Sequence, residues 1–381
     1  KNMKIFNLFE KKEKNKIIFL FIFMGFASLL ELLGLSMILP ISSLFISNEI
    51  NNNELINFIL ETFSMSKENL IYFFVLLFIL IYLFKIIFLI FISWYEQSFL
   101  NNFKFNLSNK FFKNYIGKDY SFFIGKNSSE FLRNIMSEID HLIRFYMSSL
   151  LVSLETIILS SIFVFLMFIN PFVTSITFII FITVGTIYIS YFKNYIKDWG
   201  YTRQNLEKKR IQFLQEGFGA VKDIKMMERE NFFYSKFFDQ NQKLANISLK
   251  INFLNQIPRH LFEFVAILIV IIIFVLLSRS NIQFSETFSI LALYLAAAFR
   301  IMPSANRIIN NIQMIKFCFP AVEVLTSEAK TFKLDLLNQK EKSEDISLYK
   351  EILVDIKKYQ YPNNREFKIE DIYLKIPVNK K

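Results

Sequence analysis

The most constraining feature of the chain is a series of apolar blocks. As a helix, each block would be nearly as long as the hydrocarbon layer of a bilayer is thick. A helix needs about 20 mainly apolar residues to cross a hydrocarbon layer of roughly 30 Å. Six segments come close to this length or exceed it: Ile17–Leu39, Leu70–Ile92, Phe145–Ile169, Phe172–Phe192, Leu261–Leu277 and Thr287–Met302. Helices of a soluble bundle would each need a polar face, and these blocks have none. The pattern predicts an all-α polytopic membrane protein with six transmembrane helices.

Composition and charge exclude several other classes of protein. The chain is 53% hydrophobic with a mean hydropathy of +0.36, an apolar excess that a soluble domain would not need. A net charge of +11 could indicate a nucleic-acid binder, but the basic residues avoid the apolar blocks and gather in particular loops. We therefore predict no nucleic-acid partner. A single cysteine, Cys318, excludes an internal disulfide, and His141 and His260 lack the spacing of metal ligands.

The distribution of basic residues along the chain predicts its orientation in the membrane. Six lysines precede Ile17, and the loops after the second and fourth spans are rich in Lys and Arg. The loops after the first and fifth spans contain only Lys67 and Arg279 as basic residues. Since basic loops stay in the cytoplasm, both termini and both long loops are predicted to be cytoplasmic.

The two long loops are predicted to be helical extensions of the spans. Ser93–Arg144 and Lys193–Arg259 contain few Gly or Pro residues and show apolar residues at three- and four-residue spacing. Turns are expected at Lys118–Asn127 and Gly217–Asp223. On the outer side, the apolar stripe in Asn53–Ser64 favours a short helix that lies at the membrane surface or packs on the protein itself.

The character of the sequence changes after Ala329. Residues 1–329 form the predicted membrane domain, residues 330–349 a polar linker, and residues 350–381 the start of a soluble domain. Two runs in which apolar and charged residues alternate predict its first strands: Ile352, Val354 and Ile356, then Ile372, Leu374 and Ile376. Two strands cannot close a core, so we expect this domain to be incomplete.

This organisation resembles the half-transporter of the type I ABC exporters over nearly the whole chain. The segments 120–130 and 214–225 are similar to the two coupling regions of that family, and 352–362 resembles the opening strand of its ATPase domain. The resemblance implies a homodimer that uses ATP with Mg²⁺ as cofactor. It also implies that Tyr361 would stack on the adenine ring.

One motif of that family is missing from the chain. A phosphate-binding P-loop requires Gly-x-x-x-x-Gly-Lys-Ser/Thr, and the last glycine in the sequence is Gly219. We therefore expect no catalytic residue here and no ATP hydrolysis by this chain alone. The ATPase domain would be fused downstream or supplied by a separate subunit.

A narrower resemblance concerns the sixth span. Residues 299–308, together with Ile257-Pro258-Arg259 and Glu31, are similar to the bacterial lipid-linked oligosaccharide flippases of protein N-glycosylation. This implies alternating-access transport of a polyprenyl-diphosphate-linked oligosaccharide across the bacterial inner membrane. An exporter of peptide or of another lipid remains open, as does a membrane-embedded glycosyltransferase or scaffold. A glycosyltransferase would require a carboxylate cluster, whereas the outer loops offer only scattered Glu residues.

Charged residues inside the spans are the candidate substrate ligands. Arg300 and Arg307 are seven residues apart and share one helical face, and Lys85 and Arg259 lie in or beside other spans. A guanidinium group can bind phosphate through two parallel N–H···O bonds, and an ammonium group adds a point charge. These four cations could therefore line a site for a diphosphate.

Two structural alternatives remain open for the same residues. Arg259 and Arg307 could extend to the membrane boundary and place their charges in water. Glu31 and Glu155 could pair with the cations and serve only to hold the helices together.

Overall fold

The computed structural model describes residues 9, 11–38, 41, 67–124, 126–278, 284–338, 351–360 and 368–377. Its main helices are α1 (Lys11–Ser36), α2 (Lys67–Ile116), α3 (Tyr120–Phe123), α4 (Ser128–Arg133), α5 (Ile139–Ile169), α6 (Pro171–Gly219), α7 (Val221–Met226), α8 (Glu230–Ser278) and α9 (Phe284–Asn338). A π-helix, Asn134–Glu138, joins α4 to α5, and two strands follow, β1 (Glu351–Gln360) and β2 (Lys368–Pro377). The predicted surface helix Asn53–Ser64 lies outside the described residues.

The prediction of six membrane helices is confirmed. Six helices in the described part of the chain are long and apolar enough to cross a membrane. They are also much longer than a bilayer requires. Helix α2 has 50 residues, which corresponds to about 75 Å, against a hydrocarbon layer of roughly 30 Å. The predicted helical extensions beyond the membrane therefore exist, because the loops lack the residues that would end a helix.

The connection between the third and fourth spans is as short as predicted. Asn170 has an extended backbone (φ −146°, ψ 97°), which ends α5 and makes it the N-cap of α6. Its side chain accepts a hydrogen bond from the backbone N–H of Val173 at 3.2 Å. Pro171 then occupies the first helical position, where its missing N–H costs nothing.

Each long excursion turns through a short helix. The first turn follows α2 and contains α3, before the Asn127 side chain caps α4 by accepting from the N–H of Ser129. The second contains α7, and Glu228 after it adopts a φ of 50°, which reverses the chain. The break between α6 and α7 at Ala220 lies within the predicted turn, Gly217–Asp223, and the reversal is complete at Glu228.

The core of the bundle forms around α9, which packs against α5, α6 and α8. Pro258 inside α8 has no N–H to donate to the carbonyl of Leu254. The hydroxyl of Tyr188 on α6 donates to that carbonyl instead, at 2.8 Å. This bond replaces the missing helical bond and ties the two helices together.

The two predicted strands are confirmed, and they pair as an antiparallel hairpin. Ile352 faces Ile376, and Val354 faces Leu374. Side chains on the hairpin such as Leu374 and Ile376 are about half exposed. The helix α9 continues through Asn338 into the segment predicted as a linker, whose residues Thr331–Asn338 include no helix breaker.

Candidate functional site

A cluster of ionised side chains lies between four of the membrane helices. At its centre, Oε1 of Glu31 on α1 lies 3.1 Å from Nζ of Lys85 on α2 and 2.9 Å from Nε of Arg300 on α9. The lysine donates a hydrogen bond to the carboxylate. The arginine Nε has no hydrogen-bond partner among the described residues, so its contact with Glu31 is electrostatic.

The second carboxylate of the cluster belongs to Glu155 on α5. Its Oε1 accepts a hydrogen bond from Nε of Arg307 at 2.5 Å. Its Oε2 lies 3.9 Å from Nη2 of Arg300, which is too far for a hydrogen bond. Arg300 therefore lies between the two carboxylates, and through it Glu31 and Glu155 belong to one network, which we call the intramembrane cluster (Glu31, Lys85, Glu155, Arg300 and Arg307).

Local sequence explains how these side chains meet. A separation of seven residues places Arg300 and Arg307 two turns apart on one face of α9, and Ser304, fully buried, lies between them. On the other side, the Tyr82 ring packs against Gly34 of α1, where a Cβ atom would lie 2.9 Å from that ring. Nζ of Lys85 lies 4.4 Å from the centroid of the same ring, a cation–π contact that directs it toward Glu31.

The intramembrane cluster carries a positive excess. Three cations face two carboxylates, which leaves one uncompensated positive charge among the five residues. Burial is graded along the cluster: the side chain of Lys85 is 11% exposed, that of Arg300 21% and that of Arg307 43%. A buried charge is costly unless it is paired, so the carboxylates hold the cations in place. The remaining charge can attract an anion.

The structure does not place Arg259 in this cluster. Its Nε lies 3.0 Å from Oε1 of Glu263, one turn further along α8, and its side chain is 70% exposed. Tyr361, the predicted adenine platform, lies outside the described residues. Of the four predicted cationic ligands, the structure thus brings together Lys85, Arg300 and Arg307.

A second buried network was not predicted from the sequence. The carboxylate of Glu138, at the end of the π-helix, is fully buried; its Oε2 lies 3.2 Å from Nη2 of Arg203 and its Oε1 3.7 Å from Nε of Arg133. Nη1 of Arg203 also donates to Oε2 of Glu207, at 2.8 Å. Nε2 of His141 lies 3.7 Å from Oε1 of Glu207. The i, i+4 spacing of Arg203 and Glu207 was the only signal in the sequence.

A comparison with known protein families agrees with this geometry. Residues 17–302 match the family described as the ABC transporter transmembrane region. The match includes Glu31, Lys85, Glu155 and Arg300 and both long excursions, and it ends before Arg307.

Proposed function

Because the chain belongs to the family of ABC transporter transmembrane regions, we propose that it is the membrane half of an ATP-driven exporter of an amphipathic, anionic substrate. A homodimer would supply two sets of six spans. The alternation of basic loops supports an orientation with both termini in the cytoplasm of a bacterial cell.

The observation that carries the proposal is the positive excess of the intramembrane cluster. The guanidinium groups of Arg300 and Arg307 are each anchored by a carboxylate on one side and remain partly exposed on the other. Each has further N–H groups with which to bind a phosphate oxygen. A diphosphate, with its high charge density, would satisfy both arginines, and its binding would compete with the pairing to Glu31 and Glu155.

The substrate that best fits this chemistry is a polyprenyl-diphosphate-linked oligosaccharide. It combines a diphosphate for the cations with a hydrocarbon chain that remains in the bilayer. An exporter of another phosphorylated lipid would use the same cluster, whereas an exporter of neutral peptides would not need its positive excess.

ATP with Mg²⁺ would bind to an ATPase domain, because this sequence contains no glycine after Gly219 and hence no P-loop. The two turns offer docking points for such a domain. Phe218, Met226 and Met227 at the second turn are each at least 70% exposed, as is Tyr120 at the first. Movement of the ATPase domains would reach the spans through these turns.

The test is a set of charge variants in the full-length protein, reconstituted with a polyprenyl-diphosphate substrate. Arg307→Gln should abolish transport and also lower thermal stability, because Glu155 loses its hydrogen-bonded partner. The double variant Arg307→Gln/Glu155→Gln removes both charges and should recover stability without recovering transport. If the double variant transports normally, Arg307 has no role in substrate binding.

A further inference from the structure

A narrow apolar groove lies between α8 and α9, apart from the intramembrane cluster. Its volume is about 380 Å³, and its walls are formed largely by Ala266, Ile267, Val270, Leu295, Ala298 and Phe299. The small side chains of Ala266 and Ala298 leave the space open. Among the described residues that line it, Glu263 is the one ionised residue, and it lies at the end of the groove nearest to Arg259.

The dimensions of the groove restrict what can fill it. On α8 it runs from Glu263 to Ile271, a length of about 12 Å at 1.5 Å per residue. An α-helix has a diameter of roughly 10–12 Å, so it would need a groove about as wide as this one is long. An extended peptide would leave its backbone N–H and C=O groups without partners on these apolar walls. A single hydrocarbon chain has no polar groups that need partners, so it fits the chemistry of these walls.

The charged end of the groove indicates what the chain is attached to. Arg259, Glu263 and Ile267 are spaced four residues apart on one face of α8, so the arginine lies one turn beyond the mouth of the groove. Glu263 holds the guanidinium through Nε at 3.0 Å. The side chain of Arg259 is nevertheless 70% exposed, and its terminal N–H groups can bind a phosphate. The neighbouring side chain of His260 is 73% exposed, and its Nδ1 lies 3.4 Å from Oε2 of Glu263.

We propose that this groove binds one acyl chain of an anionic glycerophospholipid, with the lipid phosphate on Arg259. Such a lipid is a resident of the membrane and is distinct from the transported substrate. It would fill the space between the fifth and sixth spans and leave the intramembrane cluster free. Arg259, which does not join that cluster, thereby has a role of its own.

The experiment uses the full-length protein in nanodiscs of phosphatidylcholine that contain a small fraction of phosphatidylglycerol with a photoreactive acyl chain. After illumination, labelled residues are identified by peptide mass spectrometry. Labelling should concentrate on Ile267 and Ala298 and fall about tenfold in Ala298→Trp, which fills the groove. Ile87→Trp, at an exposed position on α2, is the matched control and should leave groove labelling unchanged. Ala266→Phe provides a second filling variant if the first does not fold.

The headgroup is tested separately with photoreactive phosphatidylglycerol and phosphatidylethanolamine. Arg259→Gln should remove the preference for phosphatidylglycerol. Glu263→Gln should increase that preference, because it removes a competing carboxylate from the guanidinium. A preference for phosphatidylethanolamine that Glu263→Gln weakens would overturn the headgroup assignment.

Two results would overturn the groove as a lipid site. One is even labelling of all exposed apolar faces, with no effect of Ala298→Trp. The other is a cross-link between the grooves of two copies, in place of lipid adducts, which would assign the groove to a dimer contact. Neither readout depends on transport, so these failures would leave the proposed function untouched.

Discussion

Nε of Arg300 lies 2.9 Å from Oε1 of Glu31, an oxygen that also accepts a hydrogen bond from Lys85. One carboxylate on the first span thus holds cations from the second and the sixth. Its own side chain is only 4% exposed, so the charges of all three groups interact with little screening by solvent. Glu31 is therefore the shared counter-charge that stabilises the ionised forms of Lys85 and Arg300 in the apolar part of the bundle.

Glu31→Gln should therefore be among the most destabilising conservative substitutions in the chain. It leaves Lys85 and Arg300 without their shared counter-charge, and breaking a buried pair costs about 3–5 kcal/mol. The second change Lys85→Met should restore much of the stability, because it removes one of the two stranded cations. Thermal unfolding in nanodiscs measures both variants.

The control for this prediction is Lys104→Met. Lys104 pairs with Asp140 at 2.6 Å, but both side chains are more than 40% exposed. Exposed pairs contribute about 0–1 kcal/mol, so this variant should unfold close to the parent protein. If Glu31→Gln behaves like Lys104→Met, the intramembrane cluster does not stabilise the bundle.

A second prediction concerns the contact between α6 and α9 at Gly200. A Cβ atom at this position would lie 2.4 Å from the carbonyl oxygen of Phe317, a backbone atom that cannot move alone. Gly200→Ala should lower the free energy of unfolding by about 1–3 kcal/mol, the usual cost of overpacking. At Gly25 a Cβ atom meets nothing within 4 Å, so Gly25→Ala should be neutral or stabilising by up to about 1 kcal/mol. Equal effects at both positions would contradict the close approach of the helices.

A third prediction tests the buried network at the π-helix. Arg203→Met leaves the fully buried carboxylate of Glu138 with Arg133 as its remaining ion-pair partner, at 3.7 Å. We expect a large loss of stability, whereas Arg203→Met/Glu138→Gln should lose less than the sum of the single changes. A double-mutant cycle by chemical unfolding should give a coupling of about 0.5–3 kcal/mol. Additive effects would mean that the two side chains do not interact.

The sequence predicts the helices better than the contacts between them. Long apolar blocks and the scarcity of Gly and Pro determine six spans and their extensions locally, and the alternation in Ile352–Ile356 determines a strand in the same way. The pairing of Arg307 with Glu155 joins residues that are 152 positions apart, and helical periodicity carries no information about such partners. Periodicity predicted that Arg300 and Arg307 share a face, and pairing of the cations with Glu31 and Glu155 was one of the alternatives that the sequence left open.

The π-helix and its buried carboxylate illustrate the same limit. Glu138 belongs to a segment with ordinary helical composition, and nothing nearby in sequence indicates that it is fully buried. Its main partner, Arg203, lies in the second excursion, a region whose many basic residues were interpreted as a marker of orientation. The charge of a residue can therefore help to orient the chain in the membrane while its side chain also forms a buried ion pair. The sequence pattern reveals the first role and not the second.

The last prediction concerns transmission between the ATPase domain and the spans. Phe218 and Met226 flank the reversal at the second turn, and their side chains are 76% and 74% exposed, so they contribute little to the fold of this chain. In the transporter assembled with its ATPase domains, Phe218→Ser/Met226→Ser should leave the melting temperature nearly unchanged but lose most substrate-stimulated ATP hydrolysis, because the proposed apolar contact with the ATPase domain would be lost. Phe105→Ser, at a position of α2 that is 65% exposed, is the matched control and should retain the stimulation. If the double variant keeps normal stimulation while Phe105→Ser loses it, the second turn is not the point of transmission, and the docking surface lies on the sides of the helical extensions.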